Sequence, residues 1–233
     1  MSTKRALVTG VGPGTGLATV RRFAPGGYSV AMIARNADRL RAIQNDIPNS
    51  RAFAADVADA HRFAQTLDTI YAEFGAPDVV VHNAVQGVFG DFLQIDPDAL
   101  EQSFKTNVMG FLHLARRVAP SMIEAGRGTI IISGNTSALR GKSNFSSFAP
   151  TKAAQRILAE SIARRLGSSG IHVAYVVIDA VIDLEWTRKA LPDTPDDFFI
   201  QPADIAEEFW HIAHQPKSAW SFNVELRPFK ETW

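Results

Sequence analysis

Two side chains of contrasting chemistry stand four residues apart in the stretch SSFAPTKAAQ, at residues 146–155. If the segment is helical, Phe148 and Lys152 lie on one face, one turn apart. A lysine ammonium needs polar partners, whereas a phenyl ring can neither donate nor accept a proton. The pattern therefore indicates either that Lys152 serves a group outside the helix or that the site has lost a proton-handling partner.

A second stretch suited to chemistry is TGVGPGTG, at residues 9–16, which precedes the helical segment LATVRRFA. Glycines at a strand-to-helix turn let the backbone approach a pyrophosphate, and the free N–H groups of the helix start bind it. The pattern is T-G-x-x-x-G-x-G, with Gly10, Gly14 and Gly16, because Leu17 breaks the commoner G-x-G-x-x-G. A tight turn with a purely structural role is the alternative.

Seven short apolar or β-branched runs recur along the chain, separated by segments of helical character. The runs are RALVTG, YSVAMIA, RAFAAD, DVVVHNA, GTIIISG, IHVAYVVI and SFNVELR. Strands that alternate with helices predict βαβ units and a parallel sheet. The runs lack apolar/polar alternation, which is typical of strands covered by helices on both faces.

The phenylalanine and lysine of the first stretch belong to a predicted long helix from Ser146 to Leu166. Apolar residues repeat at helical spacing in it, at Ala154, Leu158, Ile162 and Leu166. Pro150 is tolerated in a first turn, and Gly167 is a stop signal. SFAPTK is therefore predicted to open this helix, with Phe148 and Lys152 on one face.

Composition excludes several classes of function. The chain has 233 residues, with 24 Lys+Arg against 24 Asp+Glu, so no bulk attraction to nucleic acid or to anionic membranes is expected. The absence of cysteine excludes disulfides, thiolate metal sites and cysteine nucleophiles, and it fits a cytoplasmic protein. No stretch reaches the roughly 18 apolar residues that a membrane span needs, and no linker or repeat marks a domain boundary.

The motifs in this order resemble the short-chain dehydrogenase/reductase family over nearly the whole chain. The resemblance rests on the glycine turn, on Asp56 in AADVAD, on HNAV at residues 82–85, on Asn107 in KTNVMG and on Lys152. It implies a single Rossmann-type domain over residues 1–233, a doubly wound parallel sheet of seven strands, and a nicotinamide cofactor at the carboxyl ends of the strands. It also implies a homodimer or homotetramer that acts on a small molecule.

The resemblance further implies a set of cofactor-binding residues. They are Gly10, Gly14, Thr15, Gly16, Arg35, Asp56, Val57, Asn83, Ala84, Lys152 and Asp179. Within this set, Lys152 is expected to face the hydroxyls of the nicotinamide ribose, a role that requires no tyrosine.

The catalytic positions implied by the resemblance are only partly filled. In the family, a Tyr four residues before the Lys donates the proton, a Ser thirteen residues before that Tyr holds the substrate oxygen, and an Asn completes a proton relay. Asn107 and Lys152 are present, but Phe148 stands at the Tyr position and Asn135 at the Ser position. The amide N–H of Asn135 can still donate to a developing oxyanion.

Two other family motifs are altered. Val85 replaces the third residue of N-A-G, and Asp179-Ala180 replaces the P-G that follows the sixth strand. Asp179 and Asp183 flank an apolar stretch where the family places the nicotinamide amide, although capping of the following turn is the alternative. Without the Tyr, the proton must come from water, Thr136, Asp179 or Asp183.

The end of the second predicted strand indicates which dinucleotide is used. An NAD enzyme places an Asp or Glu there for the ribose 2′-hydroxyl, but this chain has Ala34 followed by Arg35. Arginine can pair with a 2′-phosphate in bidentate fashion. NADP is therefore predicted, with NAD less favoured, and a solvated arginine at the turn is the alternative.

Other chemistry-bearing residues receive less specific interpretations. His211 and His214, beyond Glu207 and Glu208, are interpreted as a solvated helix face, and no metal is expected. The segment 184–199 occupies the family's substrate-lid position, and its bulky residues could line a pocket or simply pack in the core. Those residues are Trp186, Leu191, Phe198 and Phe199. The aromatic tail VELRPFKETW could serve subunit contact or local packing.

Two functional hypotheses follow. The first is an NADP(H)-dependent oxidoreductase for a small, fairly apolar carbonyl or alcohol, with Asn107, Asn135, Phe148 and Lys152 in an atypical site. The second is a cofactor-binding sensor or partner subunit without turnover. Asn135 favours the first hypothesis because it is a hydrogen-bond donor rather than an apolar filler.

Overall fold

The structure, a computed structural model, describes residues 3–230 and contains nine strands in that range. They are β1 (Lys4–Thr9), β2 (Tyr28–Ala34), β3 (Ser50–Ala54), β4 (Val79–His82), β5 (Gly128–Asn135), β6 (Ile171–Ile178), β7 (Val181–Ile182), β8 (Phe199–Ile200) and β9 (Asn223–Leu226). Seven of them form one parallel sheet in the order β3-β2-β1-β4-β5-β6-β9, and β7 pairs separately with β8. These seven are the runs predicted as strands, so the doubly wound α/β fold is confirmed.

Helices cover both faces of the sheet and create two apolar cores. They are α1 (Thr15–Phe23), α2 (Ala37–Asp46), α3 (Ala60–Glu73), α4 (Pro97–Phe104), α5 (Gly110–Ala125), α6 (Ala149–Leu166), α7 (Glu185–Ala190) and α8 (Pro202–Ala213). One core joins the sheet to α1, α2 and α8, and the other joins it to α3, α5 and α6. Successive strand residues enter opposite cores, as Val8 and Leu7 do, which explains why the strands lack alternation.

The helix α6 begins three residues later than the sequence predicts. Residues 142–148 form turns instead, in which Phe145 N–H donates to the Lys142 carbonyl and Phe148 N–H donates to the Phe145 carbonyl. Pro150 stands in the first helical turn and α6 ends at Leu166, as expected. Lys152 N–H donates to the Phe148 carbonyl at 3.2 Å, so the two residues remain one turn apart.

The chain order of the strands creates a crevice at one edge of the sheet. β1 pairs with both β2 and β4, so the strand order reverses at this point. In doubly wound sheets, ligands bind outside the carboxyl ends of the strands at such a reversal. The loops that follow β1 to β4 meet there, and they carry the glycine turn, Arg35, Asp56 and Asn83.

No helix within residues 3–230 is long and apolar enough to cross a membrane. The last residues of the aromatic tail, including Trp233, lie outside the described residues. The prediction of a single domain over residues 1–233 stays a prediction.

Candidate active site

A cavity of about 440 Å³ opens at the carboxyl ends of β1 to β4. We call it the first cavity, and its lining includes Gly10, Gly12, Arg35, Arg39, Asp56, Val57, Asn83, Ala84 and Gln86. Six of the residues predicted to bind a cofactor are thus brought together on one concave surface. Gly12, Arg39 and Gln86 were not predicted from the sequence.

The glycine turn approaches its neighbours so closely that side chains are excluded at two positions. Gly10 has a φ of +73°, and an added Cβ would lie 2.5 Å from the Ala84 backbone nitrogen. At Gly16, an added Cβ would collide with the Gly10 carbonyl oxygen and lie 2.7 Å from Val11 Cα. The amide of Asn83 donates to the Gly10 carbonyl at 3.0 Å, which ties the loop after β4 to this turn.

The predicted roles of the other turn residues differ in their structural support. A Cβ on Gly12 would meet nothing within 4 Å, so this glycine faces open space in the first cavity. Gly14 and Gly16 do not line that cavity, and the space beside Gly14 holds the Leu184 side chain, 2.6 Å from an added Cβ. The hydroxyl of Thr15 is buried and has no hydrogen-bond partner within residues 3–230.

The part of the first cavity after β2 carries two arginines. Arg35 and Arg39 are exposed, and neither forms an ion pair with a carboxylate in the described part of the chain. Asn36 Oδ1 accepts from the Arg39 N–H at 2.9 Å and so caps α2, which sets where Arg39 leaves the helix. Arg39 follows Arg35 by four residues, a spacing that a sequence search for basic pairs could have detected.

Asp56 and Val57 shape the wall of the first cavity after β3. Asp56 Oδ1 accepts from the Ala58 N–H at 3.0 Å, so the carboxylate stabilises its own turn. Val57 is buried, and a Cβ added to Gly110 would lie 3.1 Å from its side chain. Both residues therefore hold the loop in place beside the cavity.

Lys152 is buried, with 2 % of its surface exposed, and its ammonium points into the protein. Nζ donates to the Ser133 carbonyl at 3.0 Å and to Gln155 Oε1 at 2.6 Å. Gln155 Nε2 in turn donates to the Asn107 carbonyl at 2.6 Å, which links α6 to the preceding helical segment. Burial lowers the pKa of Lys152 from 10.5 to about 7.

Asn107 lies in a π-helical turn, residues 105–109, between α4 and α5. Its Oδ1 accepts from the Gln86 N–H at 2.9 Å, and its Nδ2 donates to the Gln86 carbonyl at 2.7 Å and to Thr151 Oγ1 at 2.8 Å. All its polar groups therefore engage protein partners. The Gln155 bridge between Lys152 and Asn107 was missed from the sequence, although Gln155 stands in the buried stripe of α6.

Phe148 is packed away from solvent, with 7 % of its surface exposed. Its ring contacts Gly87 and lies 5.7 Å from the Phe89 ring and 6.3 Å from the Phe145 ring, measured between centroids. The isolated bridge between Gly90 and Phe145 joins the loop after β4 to the loop after β5. The position of the family's tyrosine is thus closed by an aromatic cluster.

A second cavity, of about 240 Å³, lies at the carboxyl ends of β5 and β6. Its lining includes Asn135, Thr136, Arg140, Lys142, Phe145, Asp179, Val181 and Phe198. Asn135 Oδ1 accepts from the Ser137 N–H at 3.1 Å, which leaves Nδ2 without a partner among residues 3–230. The amide donor predicted from the sequence therefore stands at the wall of this cavity.

The two aspartates considered as proton donors have other partners. Asp179 is buried, and its Oδ1 lies 3.2 Å from Arg140 Nη2, so it forms an ion pair rather than a turn cap. Asp183 accepts from Arg188 at 2.7 and 2.8 Å and from Gln201 at 2.8 Å. The Arg188 hydrogen bonds lower the pKa of Asp183 to about 2, which excludes it as a proton donor at neutral pH.

The segment 184–199 contributes only part of what was expected. Phe198 lines the second cavity, but Phe199 is buried in the pair β7–β8. Trp186 and Leu191 are exposed, at 65 % and 37 %, so they neither line this cavity nor pack in the core. Trp186 lies in α7 and Leu191 directly follows it, and both side chains face solvent.

Two of the histidine and glutamate side chains in and just after α8 have partners. Glu207 forms an ion pair with Arg22, and His214 Nδ1 donates to the Trp210 carbonyl at 2.7 Å. No cluster of three or more metal-binding side chains occurs in residues 3–230.

The sequence matches the family model for short chain dehydrogenase over residues 4–190. The chain belongs to the short chain dehydrogenase family. It is 31 % identical to the 7alpha-hydroxysteroid dehydrogenase of Escherichia coli strain K12, an alignment that covers 93 % of this chain and 89 % of the relative. It is also 31 % identical to Oxidoreductase asL5 of Sarocladium schorii, over 86 % of this chain and 81 % of that protein.

Solved structures share the fold. A metagenomic short-chain oxidoreductase in complex with NADP is 26 % identical, with a TM-score of 0.86 and 99 % of both chains covered. An alcohol dehydrogenase from the archaeon Thermococcus sibiricus, complexed with 5-hydroxy-NADP, is 23 % identical, with a TM-score of 0.88 over 99 % of both chains. The predicted family and the Rossmann-type fold are confirmed, and the chain is an oxidoreductase of the short chain dehydrogenase family.

Proposed function

We propose that this protein is an NADP(H)-dependent oxidoreductase that transfers a hydride between the dinucleotide and a small carbonyl or alcohol compound. The observation that carries the proposal is the first cavity, which is lined both by a glycine turn and by two arginines without carboxylate partners in residues 3–230. The glycine turn suits the pyrophosphate of a dinucleotide, and the two arginines suit a 2′-phosphate.

The residues present fit such a cofactor. Gly10 and Gly12 leave the backbone bare at the wall of the first cavity, and a Cβ on Gly12 would project into free space. No side chain among the described residues caps the N-terminus of α1, so its N–H groups can bind an anion. The NADP complex of the 26 % identical relative supports the same choice of cofactor.

The chain's own groups divide the work between the two cavities. Arg35 and Arg39 would hold the 2′-phosphate, and the turn from Gly10 to Gly12 would face the pyrophosphate. When bound, the dinucleotide would supply a hydride to the carbonyl carbon and would itself be oxidised, while a proton would add to the carbonyl oxygen. Asn135 Nδ2 would donate to that oxygen at the wall of the second cavity, with the proton supplied by water or Thr136.

The direct test is to mix the protein with NADPH and a panel of small ketones, aldehydes and quinones and to follow NADPH absorbance. We expect cofactor binding and slow but measurable oxidation with at least one compound. Positioning of donor and acceptor can be worth about 7–11 kcal/mol without a general acid. Tight NADPH binding with no oxidation of any compound would instead support the binding-protein hypothesis.

The arginines predict a preference for NADPH over NADH. A hydrogen bond to a charged group is worth about 1.5–3 kcal/mol, which corresponds to roughly a 10- to 150-fold difference in affinity. Arg35→Ala is expected to remove most of the preference, and Arg39→Ala to reduce it. Calorimetric titration with both dinucleotides measures the ratio of their affinities. Arg41→Ala is the control, because Arg41 pairs with Asp38 outside the first cavity. Equal affinity of the wild type for NADPH and NADH would contradict the prediction.

Substitutions at two glycines of the turn are expected to have different effects, one on stability and the other on cofactor binding. Gly16→Ala is expected to lower the free energy of unfolding by about 1–3 kcal/mol, because the added Cβ meets backbone atoms. Gly12→Ala should leave stability within about 0.5 kcal/mol and weaken NADPH binding, because its Cβ enters the first cavity. Chemical denaturation and fluorescence titration of both variants measure the two effects. Unchanged NADPH affinity in folded Gly12→Ala would show that this wall does not contact the cofactor.

A further inference from the structure

The second cavity carries more positive than negative charge. Of its lining residues, Arg140 and Lys142 are cationic and Asp179 is the single carboxylate. Lys142 approaches the Phe145 ring at 6.0 Å and has no carboxylate partner within residues 3–230. One positive charge on the wall is therefore left without an opposite charge among the lining residues, which favours an anionic ligand over a neutral one.

The buried carboxylate of Asp179 fixes the orientation of the Arg140 guanidinium. The Asp179 side chain is 5 % exposed, whereas that of Arg140 is 39 % exposed and lies at the cavity wall. A carboxylate so deeply buried needs cationic partners. Arg227 Nη2 lies 3.9 Å from Asp179 Oδ2, and Arg140 donates to Oδ1 through Nη2 alone, at 3.2 Å. The other N–H groups of the guanidinium remain available, and such a fork suits bidentate recognition of a second carboxylate.

The rest of the cavity limits the size and chemistry of the ligand. A volume of about 240 Å³ is below the range of roughly 300–1,000 Å³ that is typical of sites for drug-sized molecules. Phe145, Val181 and Phe198 provide an apolar wall, and Asn135 provides an amide donor on the same cavity. A short molecule could thus place its reacting oxygen near Asn135 and its anionic end near Arg140 and Lys142.

We propose that the substrate is a small oxo or hydroxy acid, whose carboxylate is bound by Arg140 and Lys142 while its carbonyl or hydroxyl oxygen faces Asn135. This inference rests on the proposed function, and it replaces the fairly apolar substrate expected from the sequence. Phe145 and Phe198 contact the short carbon chain between the two polar ends. Asp179 is a positioning residue that orients Arg140.

The test compares acids with their neutral methyl esters. Pyruvate, acetoacetate and their two methyl esters are titrated into the protein saturated with NADP⁺ by calorimetry, and the same compounds are assayed with NADPH. We expect at least one acid to bind, and to be reduced with a kcat/KM, at least fivefold better than its ester. Lys142→Ala and Lys142→Glu should progressively remove the advantage of the acid and leave the ester unchanged.

Controls separate specificity from folding and from the proposed function. Lys189→Ala removes an exposed lysine that pairs with Glu185 outside the second cavity and should leave the acid-to-ester ratio unchanged. Thermal melts check that the Lys142 variants fold, and Arg140→Gln tests the arginine where its melt permits. Binding or turnover of esters equal to that of both acids would overturn the proposal, as would equal loss with acid and ester in Lys142→Glu. Preferential acid binding without NADPH oxidation would support the acid-binding site at Arg140 and Lys142 and refute the proposed hydride transfer.

Discussion

Phe148→Tyr is expected to raise NADPH-dependent turnover of a small ketone at least severalfold, toward the ~10²–10⁴ range of general acid catalysis. The substitution adds one oxygen to a ring that stands at the family's tyrosine position, one helical turn before Lys152. Proximity of the lysine charge lowers a phenol's pKa and so makes it a better proton donor. Steady-state kinetics on matched preparations measure the effect, alone and combined with Asn135→Ser.

The packing around Phe148 is expected to lower the stability of Phe148→Tyr. The ring contacts Gly87 and lies near Phe89, so a hydroxyl that finds no partner there would cost about 1–3 kcal/mol. Phe89→Tyr is the matched control, because Phe89 belongs to the same aromatic cluster but lines neither cavity and is not four residues before the lysine. We expect this control to leave turnover unchanged.

A second outcome would contradict the prediction. If Phe148→Tyr binds NADPH normally, keeps its melting temperature and shows no gain in turnover, the site is not arranged around a missing acid. The proton would then come from water or Thr136 in the wild-type protein as well.

Lys152→Met is expected to gain stability relative to the wild type much more at pH 6 than at pH 9. Burial lowers the pKa of Lys152 from 10.5 to about 7. Between these two values the unfolded chain holds a proton that the folded chain lacks, so wild-type stability rises with pH through this window. Below about pH 7 the wild type has lost all of the stability that depends on a neutral Lys152, and at pH 9 it has lost only part of it. Methionine carries no charge at either pH, so the variant loses none of its stability in this way.

The measurement is the melting temperature of both proteins across this pH range. Loss of the hydrogen bonds to Ser133 and Gln155 lowers the stability of Lys152→Met by an amount that does not vary with pH, so the trend decides the result. Lys189→Met, at an exposed lysine, should show no such trend. A difference in melting temperature between Lys152→Met and the wild type that stays constant from pH 6 to 9 would refute a depressed pKa of Lys152.

The Gln155 bridge gives this prediction a second variant. Gln155→Glu places a carboxylate beside the Lys152 ammonium, which should raise the lysine pKa toward its ordinary value and flatten the pH dependence. Gln155→Met removes one acceptor and should steepen it. If Gln155 only fills space, the two variants should not change the slope of melting temperature against pH in opposite directions.

Local patterns along the chain were enough to predict the sheet, the glycine turn and the family. Apolar runs, β-branched residues and glycine spacing act within a few residues of chain, so each of these features can be read without knowledge of packing. Parallel connection then brings the carboxyl ends of the strands to one edge. For this reason parallel strands bring Gly10, Arg35, Asp56 and Asn83, each just past the end of a strand, to one cavity.

The pairing of side chains inside the site depends instead on tertiary packing. Gln155 bridges Lys152 to Asn107 across 48 residues of chain, and Arg140 meets Asp179 across 39 residues. Such pairs depend on how α6 packs on the π-helical turn and how the loop after β5 lies over the end of β6. Buried polar groups must find partners wherever packing places them, and packing is a property of the whole sheet and its helices rather than of any local pattern.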